Sequence, residues 1–329
     1  MAFNEEQFLQ QRIQGWTRLS MLCEKAARTF RDLSGAEIVE YVRLYRQASG
    51  DLAYMSSHST NRDVVVYLNA LVSRAYGQLY RSRVAKFGTV VQQGLWLAAD
   101  TFRRRIWFFV LSSAIFFGAG FYAAGMMTIR PETKGYFVSP EMEPLFEGWK
   151  EGKFDGRSAD EGLMMTGFYA SNNPRVGIIT IGVAAGTVGI GSTILIWQNG
   201  VMLGSLGKEM NDVGKLGFLL SSVAPHGVSE IGGIFVAGAA GYVLAFGILA
   251  PGRRRWIDSL KHAGKDGFVL AVLALILIAA AAPIEGFFSF NPAVPQIAKT
   301  IFALIALTGW TAFFGLYGRN KTASDMGLE

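Results

Sequence analysis

The sequence predicts an all-α fold of the polytopic membrane kind: a helical bundle of about six membrane segments, one of them broken or re-entrant, joined to an N-terminal helical domain. Three observations carry that prediction. The 329-residue chain is 51% hydrophobic and only 17% charged, with mean hydropathy +0.28, too apolar for an ordinary soluble domain. Apolar runs at 106–127, 177–197, 231–250 and 298–317 reach or approach the roughly 20 residues that span a hydrocarbon core, and a shorter fifth at 268–284 is extended by Gly286, Phe287 and Phe288. The basic residues flank these runs. Arg81, Arg83, Lys86, Arg103, Arg104 and Arg105 precede the first, and Arg253, Arg254, Arg255, Lys261 and Lys265 separate the run at 231–250 from that at 268–284.

The net charge of +6 therefore reads as topology and not as a nucleic-acid surface. By the positive-inside rule both clusters are cytoplasmic, as are both termini, and the expected location is a prokaryotic cytoplasmic (inner) membrane. The loop at 128–176, with eight acidic and six scattered basic residues, falls outside. No apolar run is N-terminal, so insertion through the first span without a signal peptide is expected. Cys23 is the single cysteine, which excludes an intramolecular disulfide and a thiolate zinc cluster and reads as a buried helix-face residue.

Residues 1–87 read as a cytoplasmic helical domain. Ser34-Gly35-Ala36-Glu37 and Thr60-Asn61-Arg62-Asp63 have capping-box spacing, giving helices near 4–30, 35–57 and 61–86. Val64, Leu68, Leu71, Ala75 and Leu79 recur at steps of three and four, the apolar stripe of a packed helix. Tyr41, Tyr45, Tyr54, Tyr67, Tyr76 and Tyr80 read as core and rim residues of that bundle. Residues 88–105 combine Val90, Val91, Leu95, Trp96 and Leu97 with a terminal arginine cluster, the pattern of an elbow helix lying in the interface, with Trp96, Arg103, Arg104 and Arg105 as anchors.

The membrane domain follows at 106–329. In its outer loop Ser158-Ala159-Asp160-Glu161 opens a short amphipathic helix expected to end at Asn172-Asn173-Pro174, and the rest of that loop is weakly patterned. Parity constrains the middle. With the first span leaving, the second returning near Asn199 and 253–265 also inside, one crossing is missing. Residues 200–223 are read as an interrupted or re-entrant segment meeting Pro225 within the membrane. Gly182 with Gly186, and Gly233, Ala237 and Gly241, are four apart, so each set makes a flat face for close helix packing. Residues 186–191 superficially imitate a phosphate loop but lack the preceding strand and the lysine.

Ionisable groups at membrane depth are costly and mark function by default. Pro225-His226-Gly227-Val228-Ser229-Glu230 interrupts an otherwise apolar stretch, and His226 and Glu230, four apart, share one helix face. Glu285 and Asn199 are the other polar groups at depth. His226, Glu230 and Glu285 form a candidate network, a proton relay, a cation or metal site, or a set of structural hydrogen bonds. One histidine with carboxylates is a weak zinc set, so no metal and no cofactor is expected, and no catalytic Ser-His-Asp or Cys-His constellation is present.

Several groups of residues together resemble one family. They are Trp16-Thr17-Arg18-Leu19; Leu44-Tyr45-Arg46 with Asp51-Leu52-Ala53; Tyr67-Leu68-Asn69 with Arg74-Ala75-Tyr76 and Leu79-Tyr80; Asn173; Asn199-Gly200 with Gly204; Pro225-His226-Gly227 with Glu230; and Ala282-Pro283-Ile284-Glu285-Gly286. Their order and spacing are similar to the stage II sporulation protein M family over nearly the whole chain. That resemblance implies an integral membrane component of an envelope-remodelling machine in which associated proteins do the cutting, and relatives outside sporulation often accompany a MoxR-type ATPase. The function expected is a non-enzymatic scaffold or coupling subunit of a cell-envelope complex. The alternatives are a transporter or channel with a midplane His/Glu site, and an intramembrane hydrolase. Membrane lipid, a second copy of the chain (a dimer) and a cytoplasmic ATPase or envelope-remodelling protein are the expected partners.

Overall fold

The computed structural model describes residues 5–27, 30–80, 87–152 and 158–328, and among these it contains twelve α-helices and no strand. Arg81, Arg83 and Lys86 of the first basic cluster lie outside the described residues. The chain divides into two compact units, Met1–Lys86 and Phe87–Glu329.

The first unit is built from α1 (Glu5–Lys25), α2 (Gly35–His58) and α3 (Arg62–Leu79). Their apolar faces meet in a core of Trp16, Leu19, Leu22, Tyr41, Met55, Leu68 and Leu71, against which Val64 and Leu79 pack. Two polar atoms in this core are matched: the Trp16 indole N–H donates to Asp51 (2.8 Å) and the Tyr41 hydroxyl to Gln78 (2.9 Å). Of the tyrosines, Tyr41 is core and Tyr45 packs against it, while Tyr54, Tyr67, Tyr76 and Tyr80 are exposed. The Ser34 capping box forms as its spacing predicts. At α3 the cap is Asn61 and not Thr60, because the Asn61 carbonyl oxygen accepts from the N–H groups of Asp63 and Val64.

The second unit starts with α4 (Phe87–Arg104) and α5 (Ile106–Ile129), separated by a non-helical Arg105. Two short helices follow, α6 (Lys134–Phe137) and α7 (Glu143–Glu151). Then come α8 (Ala159–Thr187), α9 (Ile190–Asp212), α10 (Leu216–Leu249), α11 (Trp256–Ile284) with a π-helical turn at Glu285–Ser289, and α12 (Gln296–Leu316). Among the described residues, four stretches, Ile106–Ile129, Leu216–Leu249, Trp256–Ser289 and Gln296–Leu316, are long and apolar enough to cross a membrane.

Close contacts give the helix directions. Gly204 lies on Gly120 and Gly200 on Phe116, so α9 runs parallel to α5. Phe235 stacks edge-on to Phe116 (5.1 Å) and Phe246 to Phe108 (5.7 Å), so α10 runs antiparallel to α5. Gly233 meets Ile278 and Gly247 meets Ala263, so α11 is antiparallel to α10; Gly177 meets Ala237 and Gly241 meets Ala184, so α8 runs with α10. At one end of the bundle, α12 finishes against α4, where Arg103 donates to the carbonyls of Phe314 and Tyr317 (3.0 and 2.9 Å) and so caps its last turn. At the other end, α6 and α7 form a cap.

Several expectations are corrected. The run at 177–197 is not one segment: Val188 (φ 51°) and Gly189 (φ 92°) take left-handed conformations and turn α8 back into α9. The amphipathic helix at Ser158 does not stop at Asn173 but continues through Pro174 as α8, since proline removes only the bond to the Ala170 carbonyl and the helix closes around it. At 200–223, read as an interrupted or re-entrant segment, the interruption is the turn at Gly214 (φ 70°) between α9, which continues to Asp212, and α10, which passes through Pro225 unbroken. Within the segment at 128–176, Val138, Phe146 and Trp149 join Met127, Leu206, Met210 and Leu219 in an apolar cluster. Beside it the buried Glu209 pairs with Lys134 (3.2 Å) and Lys150. Burial works against a charge on Lys150, yet its contacts with Glu209 and then Glu147 prevail and raise its pKa.

Candidate polar site within the bundle

The site is assembled by three helices that each carry an interior proline. Pro225 precedes His226 on α10, Pro283 lies two residues before Glu285 where α11 passes into its π-helical turn, and Pro174 follows Asn173 on α8. Each proline frees a carbonyl and loosens the local ladder, so polar side chains are admitted at depth where the backbone is already irregular.

The structure brings His226, Glu230 and Glu285 together: a donor atom of each lies within 4.8 Å of those of the other two. His226 and Glu285 are 6% and 9% exposed. The imidazole Nδ1 is 2.8 Å from the Ser289 hydroxyl, and the Asn173 amide donates to Glu285 Oε2 at 3.1 Å. The Glu230 carboxyl is in hydrogen-bonding contact with Asn173 and Glu285. Its Oε2 is fully buried and has no hydrogen-bond partner among the described residues. His226, Glu230 and Glu285 line a cavity of about 340 Å³ together with Asn199, Phe146, Trp149 and Tyr169. Asn199 borders the cavity but directs its amide to its own helix, at the Leu195 carbonyl (2.8 Å).

Asn173 and Ser289 were not among the expected site residues. Asn173 stands in a dipeptide read as a helix stop, and Ser289 is an ordinary serine until the π-helical turn aims it. The aromatic wall from α7 had no signal at all, because a short helix with two aromatics in a charged loop looks like any surface segment.

The remaining expected residues divide. Gly233 and Gly241 are close-packing positions, against Ile278 and Ala184, and Ala237 is fully buried. Gly182 and Gly186 are not: nothing lies within 4 Å of where a Cβ would stand. The closest backbone approach instead involves Gly120, Gly200 and Gly204. Trp96 turns into protein and not toward lipid, being 5% exposed with its indole N–H donating to the Gly318 carbonyl (3.2 Å). Arg104 and Arg105 converge on Asp266 of α11, at 3.1 and 2.7 Å, and Arg103 holds α12, so all three arginines tie the end of α4 and its junction with α5 to the bundle.

Against known proteins, no curated sequence and no solved structure matches the chain. Residues 6–81 match a domain of unknown function (DUF8413), which coincides with the three helices of the first unit. Residues 108–290 match the family described as Stage II sporulation protein M, a span that holds every member of the polar site. That match covers more than half of the chain and most of the second unit, and the chain belongs to the stage II sporulation protein M family.

Proposed function

We propose that this protein is a non-enzymatic scaffold or coupling subunit of a cell-envelope complex, embedded in a prokaryotic inner membrane by six crossings with both termini cytoplasmic. The crossings are α5, α8, α9, α10, α11 and α12. α8 and α9, of 29 and 23 residues, are long enough to span at about 1.5 Å per residue although they carry more small and polar residues than the other four. The 1–86 unit is the docking module for a cytoplasmic ATPase or envelope-remodelling partner, and α4 is the interfacial elbow.

One observation carries this reading against transport. Between the polar site and the α4 end, α10 packs through its glycines directly on its neighbours, Gly233 against Ile278, Gly238 against Ser112 and Ile196, Gly241 against Ala184, and the cavity of about 790 Å³ on its other side, between α5 and α12, is lined almost wholly by apolar side chains such as Phe109, Phe235, Leu277 and Phe314. A carrier of ions needs an alternating polar path through this region, and neither the glycine contacts nor the apolar cavity supplies one without large helix movements. The transport reading is favoured by the cavity of about 340 Å³ beside His226, Glu230 and Glu285.

The test is reconstitution. The purified full chain in liposomes should pass no protons or cations above the level of empty vesicles. In native membranes it should migrate in an assembly larger than its own dimer, which collapses when residues 1–86 are deleted. Flux that Glu230→Gln abolishes would overturn the scaffold reading and select the transporter.

A further inference from the structure

We propose that His226, Glu230 and Glu285 form a binding site for one divalent transition-metal ion of the zinc or manganese class. Two carboxylates meet inside an apolar bundle, and among the described residues that line their cavity there is no lysine or arginine. Leaving both ionised without a counter-charge is strongly unfavourable in a medium of low dielectric. A dication balances the pair, and the imidazole adds a neutral nitrogen ligand.

The donor set selects the class of ion. One imidazole nitrogen with carboxylate oxygens suits zinc, manganese or ferrous iron better than magnesium or calcium, which favour all-oxygen sets. The geometry is close to what such an ion needs. Donors sharing one ion at bond lengths of roughly 2.1 Å lie about 3–4 Å apart, and the three here are already within 4.8 Å of one another, with His226 and Glu230 fixed one helical turn apart. The buried Glu230 Oε2, with no hydrogen-bond partner among the described residues, is an oxygen for which a ligand accounts.

Outer partners are also in position. Ser289 holds Nδ1 of the ring and so leaves Nε2 as the nitrogen for the metal, while Asn173 orients Glu285 by its amide. Bound there, the ion would join α10 to the π-helical turn after α11, with α8 held through Asn173. The ion site stands apart from the scaffold reading: a scaffold can carry it as a clamp, and a carrier as its cargo.

The test uses the full chain, purified with a tag that contains no histidine and stripped with a chelator. Zinc, manganese and cobalt are then titrated singly and bound metal is counted by mass spectrometry. Wild type should take up about one ion per chain, as expected for a single three-ligand site. Glu230→Gln and Glu285→Gln, which keep shape, should each weaken affinity by about 100-fold or more, and Asn173→Ala by about 10-fold, the usual effect of losing an outer partner. With cobalt, His226→Ala should lose the visible absorption of a nitrogen-ligated ion. Glu209→Gln, at a buried acid elsewhere, should leave uptake unchanged. Should any variant fail to fold by circular dichroism, the stoichiometry of the wild type alone still decides. If wild type binds none of the three metals above the level of Glu209→Gln carrying all three site substitutions, the proposal is wrong and the carboxylates are held by protons.

Discussion

At the scale of single residues, the chain separates glycines that are needed from glycines that only look needed. A Cβ on Gly204 would stand inside the backbone of Gly120, and one on Gly200 inside the Phe116 carbonyl; backbone cannot swing aside as a side chain can. Gly204→Ala should therefore force α5 and α9 apart and cost about 1–3 kcal/mol, the usual range for overpacking, seen as a lower melting temperature of the purified protein. Gly182→Ala meets open space and should leave melting unchanged or slightly raised, since alanine is the better helix former. An equal loss at both positions would refute this distinction and would mean that another chain covers the Gly182 face. Spacing alone marked Gly182 and Gly186 and passed over Gly204, because a four-residue interval says which residues share a face but not whether a neighbour is there.

At the scale of elements, capping chemistry was legible and its limits are equally instructive. In the Ser34 box, Glu37 accepts from the Ser34 N–H at 2.8 Å and returns a backbone donor to the Ser34 hydroxyl at 3.3 Å, while Lys25 adds an ion pair at 2.8 Å. The Lys25 ammonium and then the Ser34 N–H hold the Glu37 carboxyl down to about 2. Because the folded value lies below that of the unfolded chain, about 4.3, this contribution is complete above that pH and is lost as pH falls toward 2. Calorimetry of the full chain should therefore show a transition that Ser34→Ala lowers, by about 0.5–2 kcal/mol for loss of a cap. The same transition should fall between pH 5 and pH 3, and Glu37→Gln should flatten that dependence. A transition that Ser34→Ala lowers but acid leaves unmoved would rule the coupling out. Helix ends away from such boxes were harder to read. Pro174 reads as a stop by local rules, yet tertiary packing of α8 against α10 and α11 outweighs one lost hydrogen bond.

At the scale of the whole molecule, hydropathy marked five apolar runs and parity asked for one crossing more, but neither marked the turn that divides the run at 177–197. The cause lies at Val188 and Gly189. The run at 177–197 holds no charged residue and only Thr180, Thr187, Ser192 and Thr193 among its apolar and small ones, so its hydropathy carries no mark of the reversal, and a non-glycine residue with positive φ is not foreseeable from sequence. The polar site was more legible, because burying His226, Glu230 and Glu285 has a cost that singles them out wherever the chain places them, whereas Ser289 and the α7 aromatics are defined only by the fold. The two topologies make different predictions for two positions. With one span at 177–197 followed by a re-entrant segment over 200–223, Thr187 and Asn211 both lie within the membrane. With α8 and α9 as separate crossings, Thr187 sits at the cytoplasmic turn and Asn211 outside, and both are exposed. Single cysteines at Ser158, Thr187, Asn211, Arg254 and Ser324, each exposed, can be placed in a Cys23→Ser background and treated with an impermeant thiol reagent. In intact cells only positions 158 and 211 should react, while 187, 254 and 324 should react only after the membrane is opened. Labelling of 187 from outside, or protection of 211, would break the six-crossing arrangement and with it the cytoplasmic position of the 1–86 unit.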